Sequence, residues 1–267
     1  PYRPEDRGFT EVLRHGGGGV GQTPDYWDNA YFDGSYWHNG KPEAVKGFCT
    51  DVFFQYAKDF IKTQKQAGKP FLAYIATNAP HGPMHSPEEF SEPYQDQNVN
   101  LANFYGMIAN IDQNVGELRE LLESEGLAEN TIFIFTTDNG SSSGDRVFNA
   151  GMRGRKGSEY DGGHRVPLFV RWPQGNLQGG RDVEPITAYV DVLPTLIDLC
   201  DIVAPKGVEF DGTSIAPLLN GNVPAEWPDR ILVTDSQRVK DPIKWRKSAV
   251  MTSKWRLNNG KELYDIK

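Results

Sequence analysis

Thr131-Ile132-Phe133-Ile134-Phe135-Thr136-Thr137-Asp138-Asn139-Gly140 is the stretch on which the fold turns. Its first six residues are apolar or β-branched and carry no charge, as expected of a short strand covered on both faces, the habit of parallel sheets. The run then breaks into a carboxylate, an amide and a glycine. Upstream, Leu101, Phe104, Tyr105, Ile108, Ile111, Val115, Leu118 and Leu122 recur at helical spacing, with Gly126 as a C-terminal stop. Further upstream, Thr50 or Asp51 can cap a helix running to about Ala67. It presents Phe53, Phe54, Ala57, Phe60 and Ile61 on one face and stops at Gly68. Phe71-Leu72-Ala73-Tyr74-Ile75-Ala76 reads as a second buried strand.

Downstream, a polar loop from Gly140 to Gly163 leads into Val166-Pro167-Leu168-Phe169-Val170-Arg171-Trp172, a third apolar strand. A helix fits Ile186 to Leu199, with Pro194 as a kink. Ile231–Thr234, Ser248–Ser253, Trp255–Leu257 and Leu263-Tyr264 are short strands separated by polar turns and predict an antiparallel C-terminal subdomain. The alternation of strand and helix predicts an α/β fold. The first forty-odd residues, rich in Gly and aromatics, read as loop. Tyr26, Trp27, Phe32, Tyr36 and Trp37 there suit either sugar stacking or packing.

Composition narrows the function. Lys and Arg number 28 against 36 Asp and Glu, a net charge of −8, which argues against a general nucleic-acid binder. A small anionic substrate needs only a local cationic pocket and is not excluded. No apolar run approaches the roughly 20 residues of a membrane span. The two cysteines, Cys49 and Cys200, form no Cys-x-x-Cys pair.

The chemistry should sit beyond strand ends. Asp138 and Asn139 offer two hard oxygen donors, suited to Ca²⁺ or Mg²⁺. Asp-Asn-Gly is equally an ordinary turn, and by itself the triplet reads as one. The Arg146–Arg165 span holds Arg146, Arg153, Arg155, Lys156, His164 and Arg165 against only Glu159 and Asp161. Such a glycine-rich cationic loop suits an oxyanion, sulfate or phosphate. A solvated basic surface loop is the plainer alternative. Asn78-Ala79-Pro80-His81-Gly82-Pro83 follows the Phe71–Ala76 strand and places a lone histidine at the other polar cluster.

Three other signals fail on context. Gly16 to Gly21 satisfies G-x-G-x-x-G, but Gln22-Thr23-Pro24-Asp25 does not open the helix that a dinucleotide fingerprint requires. His81 and His85 are four apart, yet the surrounding prolines prevent the helix of a zinc pair. The basic stretch from Lys240 to Arg256 reads as a solvated strand edge.

Taken together, Thr137–Gly140, Met152-Arg153-Gly154-Arg155-Lys156-Gly157-Ser158-Glu159-Tyr160-Asp161-Gly162-Gly163-His164-Arg165-Val166-Pro167, Asn78–Pro83, Gly16–Trp27, Asn39-Gly40-Lys41, Cys49-Thr50-Asp51 and Glu262–Asp265 resemble the sulfatase family. Bacterial glycan sulfatases of the N-acetylgalactosamine-6-sulfatase-like group are the most similar in style. The resemblance implies a sulfatase or alkaline-phosphatase-like sandwich. Its mixed, mostly parallel central sheet would be flanked by helices, with a small antiparallel C-terminal subdomain. Residues 1–225 would belong to the large catalytic domain and 226–267 would begin the C-terminal subdomain.

The resemblance further implies sulfuric ester hydrolysis of a sulfated carbohydrate or aryl sulfate, in a periplasmic or secreted protein. Asp138 and Asn139 would be metal ligands, usually for Ca²⁺, with Mg²⁺ as the alternative. Lys156 and the adjacent Arg155 would hold the substrate sulfate. His81 would stand near the ester's bridging oxygen, sharing one cleft with Asp138, Asn139 and Lys156. The family's nucleophile is formylglycine, matured from cysteine in a Cys-x-Pro/Ala-Ser-Arg motif. Neither Cys49-Thr50-Asp51 nor Cys200-Asp201-Ile202 fits that motif. These residues therefore read as an internal piece of a sulfatase, inactive alone and weak in metal binding. A phosphodiesterase or phosphonate hydrolase of the same superfamily is the competing enzyme, and a catalytically dead chain that binds sulfated glycans is the competing class.

Overall fold

The structure, a computed structural model, describes residues 3–16, 19–22, 28–177, 179–222 and 227–266. It comprises two compact units, Pro1–Leu127 and Ala128–Lys267.

The first unit opens with a three-stranded antiparallel sheet where the sequence reading expects only loop. Its strands are β1 (Leu13–Arg14), β2 (Ser35–His38) and β3 (Lys41–Ala44), in the order β1-β2-β3. Asn39 and Gly40 close the β2–β3 hairpin with φ values of 46° and 86°. Positive φ at both central residues is what a two-residue turn of matching twist demands, and Asn-Gly supplies it cheaply.

Helix α1 spans Cys49–Gln66, starting before either Thr50 or Asp51 could cap it, and Gly68 ends it in the left-handed region at φ 62°. Asp51 is therefore not a cap. Its carboxylate accepts from the buried amides of Asn110 and Asn114, each at 2.7 Å. A four-residue helix, α2 (Glu88–Ser91), leads to α3 (Val99–Ser124), whose Asn98 cap accepts from the Leu101 N–H. The core gathers Val20, Tyr31, Tyr36, Val45, Phe48, Cys49, Val52, Ala79 and Met107. Each large apolar side chain buried there is worth about 1.5–3 kcal/mol. Tyr36 is 1% exposed and belongs to this core rather than to a sugar platform, whereas Phe32 is half-exposed. Tyr26 and Trp27 lie outside the described residues.

Phe71–Ala76 is not a strand. It has no ladder partner among the described residues, and Leu72 and Tyr74 are exposed at 67% and 77%. A strand needs a neighbour to take its N–H and C=O groups, and no described segment provides one.

The second unit begins with β4 (Phe133–Thr136) paired antiparallel to β5 (Leu168–Arg171), with Thr136 opposite Leu168. Between them lies a one-turn helix, α4 (Asp161–His164). The helix expected from Ile186 is shorter. A 3₁₀ turn at Tyr189–Asp191 leads into α5 (Val192–Leu199), and Pro194 falls in its first turn instead of kinking it. There the missing N–H has no intrahelical acceptor to lose. A short α6 (Ala216–Leu219) precedes the antiparallel meander β6 (Leu232–Asp235), β7 (Ser248–Met251), β8 (Trp255–Asn258) and β9 (Glu262–Asp265). This is the expected C-terminal antiparallel sheet.

The parallel part of the expectation has no counterpart in the pairing: every strand pair among the described residues is antiparallel. The apolar character of Ile132–Phe135 misled here. β4 is half-buried, and Phe169 beside it is 65% exposed, so neither strand is covered on both faces.

Candidate functional site

In the second unit, β4 delivers Asp138 and Asn139 to a turn held by several independent anchors. The Thr136 hydroxyl donates to the Pro167 carbonyl at 2.8 Å, and Tyr189 donates its phenolic hydrogen to the Thr137 carbonyl. The Gly140 N–H donates to the Gly163 carbonyl at 3.0 Å. A Cβ on Gly140 would run into the Gly162 carbonyl, one on Gly162 into the Gly154 carbonyl, and one on Gly163 into the Ser158 carbonyl. The turn and the cationic loop are thus pressed backbone to backbone, and only glycine lets them approach so closely. The Asp138 carboxylate is exposed and makes no hydrogen bond or ion pair among the described residues. The Asn139 amide donates weakly to the Gly140 carbonyl at 3.3 Å, leaving its oxygen available. Two hard oxygen donors side by side, neither engaged elsewhere, fit two positions of a Ca²⁺ or Mg²⁺ shell. Among the described residues no cluster of three or more His, Cys, Asp or Glu could hold a metal.

The loop's cations, alike in sequence, differ in the structure. Arg153 stacks on Tyr160, 3.8 Å from guanidinium carbon to ring centroid, and donates to the Tyr264 hydroxyl at 2.8 Å. Glu262 accepts from both tyrosines, and its bond to Tyr160 pushes that phenol up to about 12. Arg155 is exposed and 4.0 Å from Asp145, a loose pair. Lys156 is half-buried. Its N–H donates to the Ser141 carbonyl at 3.0 Å, which ties its backbone to the segment that follows Asp138 and Asn139. Its ammonium has no partner among the described residues. So the structure brings Asp138, Asn139 and the Lys156 backbone together within one unit and leaves the Lys156 ammonium, like the exposed Arg146 and Arg165, without a side-chain partner among the described residues. His164 is not part of this. It is largely buried beside Arg256, and that burial, together with the neighbouring guanidinium, pushes it down. Arg256 itself pairs with Asp161.

His81 stands in the first unit. Its main chain is fixed at both groups: the N–H donates to the Asn78 carbonyl at 2.9 Å, and the C=O accepts from the Tyr31 hydroxyl at 3.1 Å. The ring is exposed, and its Nδ1 lies 2.9 Å from the Gln22 amide nitrogen and 2.8 Å from the Gly82 carbonyl. Gln22 is the residue that sequence reasoning missed. It lies inside the Gly16–Trp27 stretch, which resembles the family without assigning Gln22 a role.

Cys49 is not a nucleophile by its surroundings. Both cysteines are free thiols. Cys49 is fully buried, and burial pushes its thiol up to about 12. Reactive cysteines have the opposite environment, exposed and electropositive.

Comparison with known proteins follows the same lines. A family profile described as Sulfatase matches residues 4–202, and one described as N-sulphoglucosamine sulphohydrolase, C-terminal, matches residues 155–266. The uncharacterized sulfatase YdeN of Escherichia coli is 31% identical over 222 residues, covering 82% of this chain and 38% of that protein. The N-acetylgalactosamine-6-sulfatase of the dog is 30% identical over 176 residues, covering 64% of this chain and 33% of that protein. The chain therefore spans little more than a third of the length of these relatives. Among solved structures, Ps i-CgsB in complex with a neocarrahexaose superposes with a TM-score of 0.82 at 25% identity, over 95% of this chain and 58% of that one. A phosphonate monoester hydrolase from Silicibacter pomeroyi shares the fold at a TM-score of 0.61 and 19% identity, over 85% of this chain and 57% of that one.

Proposed function

The chain belongs to the sulfatase family, and from that premise we propose that the protein it represents hydrolyses sulfate esters of carbohydrates. The observation that carries the reading is the uncommitted Lys156 ammonium on a loop locked by glycines against the Asp138-Asn139 turn. Sulfuryl transfer piles negative charge on the sulfate oxygens and on the leaving oxygen, and fixed positive charge aimed there stabilises the transition state most. Lys156 supplies that charge as a point cation, and exposed Arg155 adds a second, loosely held one. His81 offers a ring nitrogen to the bridging oxygen. Asp138 and Asn139 would hold the divalent cation, Ca²⁺ in this reading, which would polarise the sulfate. The nucleophile, formylglycine, comes from residues outside 1–267. Residues 1–225 belong to the large catalytic domain and 226–267 open the C-terminal subdomain. The protein works in the periplasm or outside the cell.

The experiment is release of sulfate from sulfated oligosaccharides and from an aryl sulfate. It compares residues 1–267 alone with the same residues joined to a matured formylglycine segment and loaded with Ca²⁺. The first should give no multiple turnover and the second should. Saturable binding of sulfated glycan without turnover in the second would replace the reading with a binding protein. Faster release from a phosphonate ester than from a sulfate ester would move it to the phosphonate hydrolases.

A further inference from the structure

We propose that the C-terminal sheet positions Lys156. Asn259 and Glu262 grip the two residues that follow the Lys156 turn and so set where its ammonium is carried, which makes them positioning residues for the sulfate site.

The turn is closed by its own atoms. The Ser158 N–H donates to the Arg155 carbonyl at 2.9 Å, and the Arg155 N–H donates to the Ser158 hydroxyl at 3.1 Å. Lys156 and Gly157 are its central residues. Gly157 takes φ 79°, the left-handed conformation that the third residue of a type II turn needs. Such a turn holds its shape, but its direction comes from the chain on either side of it.

That chain is tied to the sheet on both sides. After the turn, Glu159 accepts from the Asn259 side-chain amide, and Tyr160 donates its phenolic hydrogen to Glu262 at 2.6 Å. Before it, Arg153 donates to the Tyr264 hydroxyl at 2.8 Å and lies 3.8 Å from the centre of the Tyr160 ring, so the two sides also clasp each other. The Glu262 oxygen that takes Tyr160 accepts from Tyr264 as well, at 2.8 Å. At the turn, the Gly157 carbonyl accepts from the Ser236 hydroxyl at 3.2 Å. One residue beyond Tyr160, Asp161 pairs with buried Arg256. Ser236 follows β6, Arg256 lies in β8, Asn259 in the β8–β9 turn, and Glu262 and Tyr264 in β9. All of these contacts are directional, so they fix position as apolar packing does not.

The grip persists over a wide range of pH. Bonds from Tyr160 and Tyr264 hold the Glu262 carboxyl below 4.5, and the bond to Glu262 pushes the Tyr160 phenol up to about 12. Between those values the acceptor stays ionised and the donor keeps its hydrogen.

The consequence for chemistry rests on the sulfate-ester reading. A cation stabilises charge developing on sulfate oxygens only where it is aimed, and a misplacement of about 1 Å can cost about 10²-fold. The Lys156 ammonium has no partner of its own among the described residues to aim it. Its aim starts from the backbone that the sheet holds.

The test uses the nucleophile-complete enzyme, residues 1–267 joined to the matured segment. Asn259→Gly with Glu262→Ala cuts both bonds from the sheet side, and glycine keeps the φ of 52° at position 259. The Lys156 amide, which donates to the Ser141 carbonyl at 3.0 Å, should then exchange its hydrogen at least about tenfold faster, while amides of the β7–β8 ladder keep their protection. On a sulfated sugar kcat/KM should fall at least about tenfold. In a Lys156→Ala background the same pair should cost nothing further. Glu262→Gln, whose amide oxygen still accepts from both phenols, should match the wild type in exchange and rate. Glu159→Ala with Tyr160→Phe cuts the same two bonds from the loop side and serves if the sheet variant fails to fold. Unchanged Lys156 exchange would overturn the clamp whatever the substrate. Faster exchange with a rate loss that repeats in full on top of Lys156→Ala would overturn the route through Lys156. A wild type that hydrolyses no sulfate ester would remove the sulfate reading, and the exchange rates would still decide for or against the clamp.

Discussion

The two units solve the problem of buried polar groups in opposite ways. In the first, the buried polar side chains are neutral, mostly amides: Asn29, Asn78, Asn110 and Asn114, together with Thr50. They knit loops and helices with ordinary hydrogen bonds, and His81 hangs from one of them. In the second, the buried polar set includes charges. Asp191 is inaccessible and takes two bonds from Arg230 at 2.8 and 2.7 Å and two more from the Ala188 and Thr213 N–H groups. Arg256, also buried, pairs with Asp161 beside His164. A neutral network loses little when one amide is exchanged. A buried ion pair, by contrast, fails badly when half of it is removed, because the other charge is stranded. The unit that carries His81 therefore buries neutral polar side chains, whereas the unit that carries Lys156 buries charges as well.

The comparison can be broken most directly at the lysine. Lys156→Ala in the nucleophile-complete enzyme should lower kcat/KM by about 10²–10³, the effect of removing one donor from an oxyanion site. Its melting temperature should barely change, since the ammonium has no partner among the described residues. An equally active variant would remove Lys156 from the site.

Next comes the buried pair. Asp191→Ala strands Arg230 and two backbone N–H groups and should destabilise the second unit by about 3–5 kcal/mol in denaturant unfolding. In the first unit, Asn114→Ala removes one amide that donates to Asp51, while Asn110 still donates to it, and should have roughly a third of that effect. Similar losses in both would mean the two scaffolds do not differ in kind.

Smaller again is the glycine lock. Gly140→Ala must displace the Gly162 backbone and should destabilise by about 1–3 kcal/mol. Gly116, in the middle of α3 with open space where a Cβ would go, is the control. Gly116→Ala should stabilise by about 0.5–1 kcal/mol.

What the sequence disclosed divides along the same physical lines. Helices α1 and α3 were legible because periodicity and a terminal glycine are local signals, and both ends came within about two residues. The β2–β3 hairpin has an equally local signal in Asn39-Gly40, but the glycine- and aromatic-rich residues around it read as loop. Phe71–Ala76 was not legible, since strand formation depends on a partner that an apolar run cannot announce. At the site, Asp138 and Asn139 stood out as donor types at a strand end. But Arg153, Arg155 and Lys156 are interchangeable in sequence. Only Tyr160, Glu262 and Tyr264, about a hundred residues apart along the chain, single out the first as structural. Gln22 was hidden for the same reason: its partner lies 59 positions away.

The weakest expected effect concerns a charged cluster in the first unit that titrates. His38 bridges two carboxylates at 2.5 Å, Nε2 to Glu11 and Nδ1 to Glu43, and Tyr56 donates to the other oxygen of Glu43. Burial alone would lower His38, but its bonds to the two glutamates outweigh this and hold it above its ordinary 6.5. Burial works to raise Glu11, and bonds from His38 and Asn39 bring it below 4.5; Tyr56 and His38 hold Glu43 below 4.5 as well. The signs then define a window. The histidine's contribution is complete below 6.5 and disappears as pH rises through its raised folded value. The glutamates' contribution is complete above 4.5 and disappears as pH falls through their lowered ones. The staple therefore works best between 4.5 and 6.5. Because both glutamates are about 40% exposed, it should add no more than about 1 kcal/mol. Unfolding free energies of wild type and His38→Gln, compared in urea across that range and again at alkaline pH, read it out. The gap between them should be widest inside the window and narrow above it. A gap that does not change with pH would show that His38 acts through packing against Tyr56, whose ring it meets edge-on at 5.2 Å, and not through its charge.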